Sequence, residues 1–389
     1  MLKPISKLVN IQILRAVAAL TVVLYHVGVE ETHICTDTGG GCAPDMWFGL
    51  DGVTLFFMIS GFIMVVTSWN LFGKPGAAVD FIRRRIQRIV PLYWIVTTIG
   101  VIGIAIAPSM LNVPVLDPIY IAASYLFYPV ERLNGLVRPI ANLGWTLELE
   151  MMFYVIFTGA LLFKRKLGMS LAMAAIVLIT AGRLMGLYGQ SIPLNFWSDP
   201  IILDFVLGMA VGAAYKSGAN LPRSAVWGLG VAFVVFATTV VVQAPWINSF
   251  PELHIVRRSL LALPAIPLFL IGALGPQLNA SNLLTRIGLL LGDASYSLYL
   301  IHPFVLRPFA KIWDKLFVGH VPMWAFTCGA PIAAISSGLA LYWFVERPLT
   351  NYFTKKRPLK AALFPASSAT FAPQQSSQSV PQPAQYMAR

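Results

Sequence analysis

The sequence predicts an all-α integral membrane protein, a bundle of about ten transmembrane helices with both termini on the cytoplasmic side. Three observations predict it. Apolar residues make up 57% of the 389-residue chain and charged residues only 11%, against roughly 25% charged in soluble domains. The apolar residues gather in runs of helix-spanning length, not in the alternating ten-residue segments of a membrane barrel. Lysine and arginine are spread unevenly between alternate loops.

In chain order the spans are expected at about 8–29, 47–69, 90–107, 144–163, 169–187, 198–215, 225–243, 258–274, 288–307 and 323–345. The stretch 117–130 carries Pro118 and Pro129 and is too short to cross, so it reads as interfacial or re-entrant. With the N-terminus inside, 19 of the 28 lysines and arginines fall on the cytoplasmic side and 7 on the other, with Arg15 and Arg183 inside spans. That asymmetry accounts for the +12 formal charge without invoking nucleic acid. A basic flank without a small-residue cleavage site marks the first span as a retained signal anchor. Residues 1–350 thus form one transmembrane domain. Residues 351–389, rich in Ala, Ser, Pro and Gln from Ala361, read as a disordered cytoplasmic tail.

Cys35 and Cys42 are expected in an outer loop, Glu30–Met46, where a disulfide is possible but spacing alone does not establish it. Cys328, in the last span, is expected to be an inert packing residue. No Cys or His spacing suggests a metal.

Ionisable residues inside spans are expensive and mark sites or pathways. Arg15 and His26 lie eleven residues apart, roughly 20° past three full turns, so they share one helix face about 16 Å apart along the axis. His26, Asp51, Glu150, Arg183, Asp204 and His302 all fall in the expected outer half of the bilayer, as if lining an outward-opening polar chamber. Glu150 shares a face with Tyr154 four residues on, whereas Glu148 faces elsewhere, towards the boundary. Simpler readings stay open: a snorkelling arginine, a histidine at the water boundary, and helix-tethering pairs such as Arg183 with Asp204. At the inner surface, Arg83, Arg84, Arg85 and Arg88 open a span, more cations than orientation requires. Their planar forks suit phosphate, with anionic lipid headgroups as the alternative ligand.

Several motifs in fixed order carry a resemblance. They are Leu14-Arg15 through His26, Gly52-Val53-Thr54-Leu55-Phe56-Phe57-Met58-Ile59-Ser60-Gly61-Phe62, and the arginine stretch ending in Pro91-Leu92-Tyr93-Trp94. Next come Trp145-Thr146-Leu147-Glu148-Leu149-Glu150-Met151-Met152-Phe153-Tyr154 and Phe205-Val206-Leu207-Gly208-Met209. Last are Gly292-Asp293-Ala294-Ser295-Tyr296-Ser297-Leu298-Tyr299-Leu300-Ile301-His302 and Val345-Glu346-Arg347-Pro348-Leu349. Together, from Ile11 to Leu349, the chain resembles the integral-membrane acyltransferase-3 family, in particular its exopolysaccharide and lipopolysaccharide O-acetylases. Thr146 replaces a common Ser, Met58 is a conservative change, and the membrane domain is expected to act without an appended hydrolase-like domain.

The resemblance implies a bacterial inner-membrane acyltransferase moving acetyl from cytoplasmic acetyl-CoA to a hydroxyl of a glycan or lipid-linked saccharide, with no metal. Arg83, Arg84, Arg85 and Arg88 would hold the donor's phosphates, and the pantetheine arm would pass Arg15. His26 would deprotonate the hydroxyl, as a group titrating near neutrality can. Glu150 would orient His26, as the third member of a triad does. Alternatively, His26 itself takes the acyl group. Tyr299, His302 and Tyr154 are expected on the substrate side. A succinyl donor, or a proton-coupled transporter or flippase using the same ionisable residues, are the competing readings.

Overall fold

A computed structural model describes residues 8–38, 50–106, 117–132, 135–248, 260 and 262–355. Among these the regular structure is helical, apart from one isolated bridge between Glu131 and Val137. The helices are α1 (Val9–Thr38), α2 (Gly52–Ser68), α3 (Ala77–Ile106), α4 (Pro118–Tyr125), α5 (Trp145–Ala160), α6 (Arg165–Leu184) and α7 (Ile192–Trp197). They continue as α8 (Leu203–Lys216), α9 (Arg223–Asn248), α10 (Ala265–Leu274), α11 (Leu283–Asp293), α12 (Ser295–Leu316), α13 (Met323–Leu341) and α14 (Arg347–Lys355).

Every expected span meets a helix, but the helices differ in reach. Five are long and apolar enough to cross a membrane: α1, α3, α6, α9 and the run from α13 through α14. A sixth is added if α11 and α12 are taken as one span, bent by 70°. The bend falls inside the ninth span expected over 288–307. α2 and α10 are apolar but shorter. α4, with Asp117 as its cap and only eight residues, has the length of the expected interfacial piece.

Helix ends explain several further corrections. α1 runs past residue 29 to Thr38, because Glu30 pairs with Arg307 at 2.7 Å and Glu31 accepts from Thr327 at 3.1 Å. Cys35 is therefore helical and not in a loop; Cys42 lies outside the described residues, and so does any pairing between them. Asp51 does not project from within a span. It caps α2, accepting from the Val53 amide at 2.9 Å and the Thr54 hydroxyl at 3.2 Å. α3 begins well before residue 90, so the four arginines ride on its first turns and the helix continues through Pro91. Arg183 donates to the Asn195 carbonyl and lies 3.7 Å from Asp199. Cys328 is exposed on α13 and does not pack in the core. α14 carries helix to Lys355, five residues into the expected tail, and residues 356–389 lie outside the described ones.

Two close backbone approaches set the packing. A Cβ on Gly208 would sit 2.1 Å from the Met58 carbonyl, and one on Gly61 would sit 2.3 Å from the Phe205 carbonyl. α2 and α8 thus touch backbone to backbone through small residues, as apolar helices without a hydrophobic driving force between them must. Phe205 stacks on Phe57 at 4.5 Å and on Phe153 at 4.2 Å, which joins α2, α5 and α8 into one aromatic core. α9 presents Trp227, Val231, Val234 and Val235 outward, an apolar surface suited to lipid.

Candidate active site

Five helices, α1, α2, α3, α5 and α12, enclose a cavity of about 140 Å³. Helical periodicity chooses its walls. Thr146, Glu150 and Tyr154 are four residues apart on α5, Arg85 and Arg88 three apart on α3, and Ser295 and Tyr299 four apart on α12. Arg15 from α1 closes the ring, and Phe56, Phe57 and Met64 from α2 make the apolar side.

At one end stand three guanidiniums. Arg15 donates to Ser295 at 2.9 Å and to Gln12 at 3.3 Å. Gln12 in turn donates to Asp293 at 2.5 Å, just before the bend. This junction needs glycine: a Cβ on Gly292 would meet the Gln12 carbonyl at 2.1 Å. Arg85 lies over the rings of Phe81 at 5.4 Å and Tyr154 at 5.8 Å, and its Nε is buried without a hydrogen-bond partner. Arg88 is exposed at the mouth. Arg83 is exposed and Arg84 half-buried, and neither lines the cavity, so the structure brings two of the four α3 arginines to it.

Glu150 belongs to this arginine-lined cavity. Its Oε1 accepts from Ser60 at 2.8 Å and from Tyr154 at 2.5 Å. No hydrogen bond joins it to His26 among the described residues, which corrects the expected triad. The partner found for His26 is His302, whose Nε2 lies 3.4 Å from His26 Nδ1, with ring centroids 5.0 Å apart. Between cavity and imidazoles stands Tyr299, hydrogen-bonded with Thr146 at 2.8 Å and 6.2 Å ring to ring from His302. Neither histidine is among the cavity's lining residues.

His26 Nδ1 also lies 2.8 Å from the Val22 carbonyl. A carbonyl oxygen only accepts, so Nδ1 carries the hydrogen and Nε2 keeps the lone pair in the neutral ring. An imidazole so fixed can take a proton or attack an electrophile through Nε2.

Sequence reasoning missed two acids. Glu346 accepts from the Ser297 amide at 3.2 Å and hydroxyl at 2.6 Å, so it caps the start of α12 from a π turn, Tyr342–Glu346. The signal was its place in the Val345–Leu349 motif. Glu148 does not face the boundary; it is 1% exposed, and its Oε2 has no partner.

Residues 8–343, almost the whole of the helical assembly, match the acyltransferase domain of the acyltransferase-3 family. The chain belongs to that family. It is 33% identical over 306 residues to the exopolysaccharide production protein ExoZ of Rhizobium meliloti (strain 1021), covering 77% of this chain and 89% of that protein. It is 22% identical over 361 residues to nodulation protein 10 of Rhizobium leguminosarum bv. viciae, covering 87% and 92% respectively. No solved structure matches it. The chain is therefore an acyltransferase, and the transporter reading of its intramembrane charges gives way. Its apolar helices and family make this acyltransferase a multi-pass membrane protein. No group of His, Cys, Asp and Glu that could hold a metal occurs among the described residues.

Proposed function

We propose that this acyltransferase moves an acetyl group from cytoplasmic acetyl-CoA to a hydroxyl of an exopolysaccharide or its lipid-linked precursor. In this reading it sits in the bacterial inner membrane, with ten spans and both termini inside. The relatives support the acceptor class: the one from Rhizobium meliloti is named for exopolysaccharide production. One observation carries the donor assignment, a cavity with Arg15, Arg85 and Arg88 around it and Tyr299 at the side nearest the histidines. The buried, unpartnered Nε of Arg85 fits a phosphate oxygen, and the apolar wall of Phe56, Phe57 and Met64 fits an extended, weakly polar arm.

Chemistry then falls to His26. Its Nε2 takes the acceptor hydroxyl's proton while that oxygen bonds the acyl carbon. The carbon–sulfur bond breaks, and the imidazolium returns the proton to the departing thiolate. Arg83 and Arg84 add field at the mouth without touching the donor. Glu150, with Ser60 and Tyr154, fixes the cavity wall beside Arg85.

The test combines two measurements. Proton NMR of surface polysaccharide from cells with and without the protein should show O-acetyl signals lost in its absence. Purified protein incubated with labelled acetyl-CoA and no acceptor should carry no covalent label; label retained on His26 would replace base catalysis with an acyl-histidine relay. Unchanged O-acetylation in cells lacking the protein overturns the reading.

A further inference from the structure

We infer that His302 is a positioning residue for His26, holding its tautomer and sharing the charge it gains. The inference rests on the reading of His26 as the base. The two imidazoles come from separate helices yet are fixed in the same way, each by the carbonyl four residues earlier. His26 Nδ1 lies 2.8 Å from Val22 O, and His302 Nδ1 lies 3.0 Å from Leu298 O. Because carbonyls only accept, both rings carry their hydrogen on Nδ1. His302 Nε2 then carries a lone pair and lies 3.4 Å from His26 Nδ1, the nitrogen that bears the hydrogen. One hydrogen faces two acceptors, Val22 O and His302 Nε2, and Nε2 of His26 is left for the acceptor hydroxyl.

The carboxylates that might do this work are committed elsewhere. Glu150 accepts from Ser60 and Tyr154. Glu30, one turn beyond His26, is paired with Arg307 at 2.7 Å. His302 is fully buried, so it meets His26 without competition from water. When His26 Nε2 accepts the hydroxyl proton, its Nδ1–H becomes a charged donor, and a charged hydrogen bond is stronger than the neutral one it replaces. His302 therefore favours the state after proton transfer over the state before it, which is a contribution to kcat and not to donor binding.

Paired amide substitutions at position 302 test this. In His302→Gln the longer side chain can place its carbonyl oxygen near the position of Nε2; in His302→Asn the amide reaches only as far as Nδ1 and cannot meet His26. The expected result is kcat within about threefold of wild type for His302→Gln, and lowered about thirtyfold for His302→Asn, the scale of one charged hydrogen bond. The KM for acetyl-CoA should stay within about twofold in both, since a hydrogen bond formed with the imidazolium acts on kcat. Detergent melting curves and acetyl-CoA binding confirm that each variant is folded. Full activity in folded His302→Asn, or equal losses in both folded variants, overturns the inference. A fully active His26→Gln instead overturns the reading of the base on which it rests.

Discussion

The two ends of the site achieve polarity inside a membrane bundle in opposite ways. At the arginine end, three cations surround a space, and one of them keeps a buried N–H unpartnered. At the histidine end, two rings face each other and each is bonded to its own helix. An unsatisfied buried donor is costly unless something comes to meet it. A satisfied pair is ready without a ligand. Under the proposed function the difference is a division of labour: the first end receives a charged molecule, the second moves a proton.

Substitutions can break or sharpen that division. The largest effect is expected from His26→Ala, which should lower transfer by about a thousandfold or more while acetyl-CoA still binds. Equal loss of binding would merge the two ends into one. Next comes Arg85→Gln, expected to raise the KM for acetyl-CoA by about 10- to 100-fold with kcat little changed, as loss of a charge-assisted hydrogen bond implies. Initial rates across donor concentrations distinguish the two parameters. Glu150→Gln should keep about a tenth of wild-type activity, because the amide oxygen still accepts from Ser60 and Tyr154. A loss as deep as that of His26→Ala would move Glu150 to the proton-moving end. Smallest is Glu346→Gln, expected to cost about 1 kcal/mol through the α12 cap and to appear as a lower melting temperature in detergent.

Much of this is legible in the sequence. The apolar runs located a helix at each expected position, and the eleven-residue interval placed Arg15 and His26 on one face. Depth along the chain also grouped His302 with His26. The pairing itself was hidden, because it joins residues 276 apart and depends on a bend at Ala294 that a continuous apolar run does not reveal. Glu150 was assigned to the wrong partner for a related reason: equal depth says nothing about which way two helices turn their faces. Glu346 fell just past an expected span end, because the π turn that carries it extends the helix. Capping by Asp51 was likewise mistaken for burial, since an acid near a helix start looks the same in sequence as one inside it.

α1 has one more consequence. Gln12 ties it to Asp293 near one end, and Glu30 ties it to Arg307 near the other, with Arg15 and His26 between these anchors. Pinned twice, the helix acts as a ruler whose two working marks are a fixed length apart. Under the proposed function a donor must then match a distance as well as a charge: anionic head at one mark, reactive carbon at the other. Truncated thioesters that keep the acyl group but lose the head have nothing to hold them in register, however reactive they are.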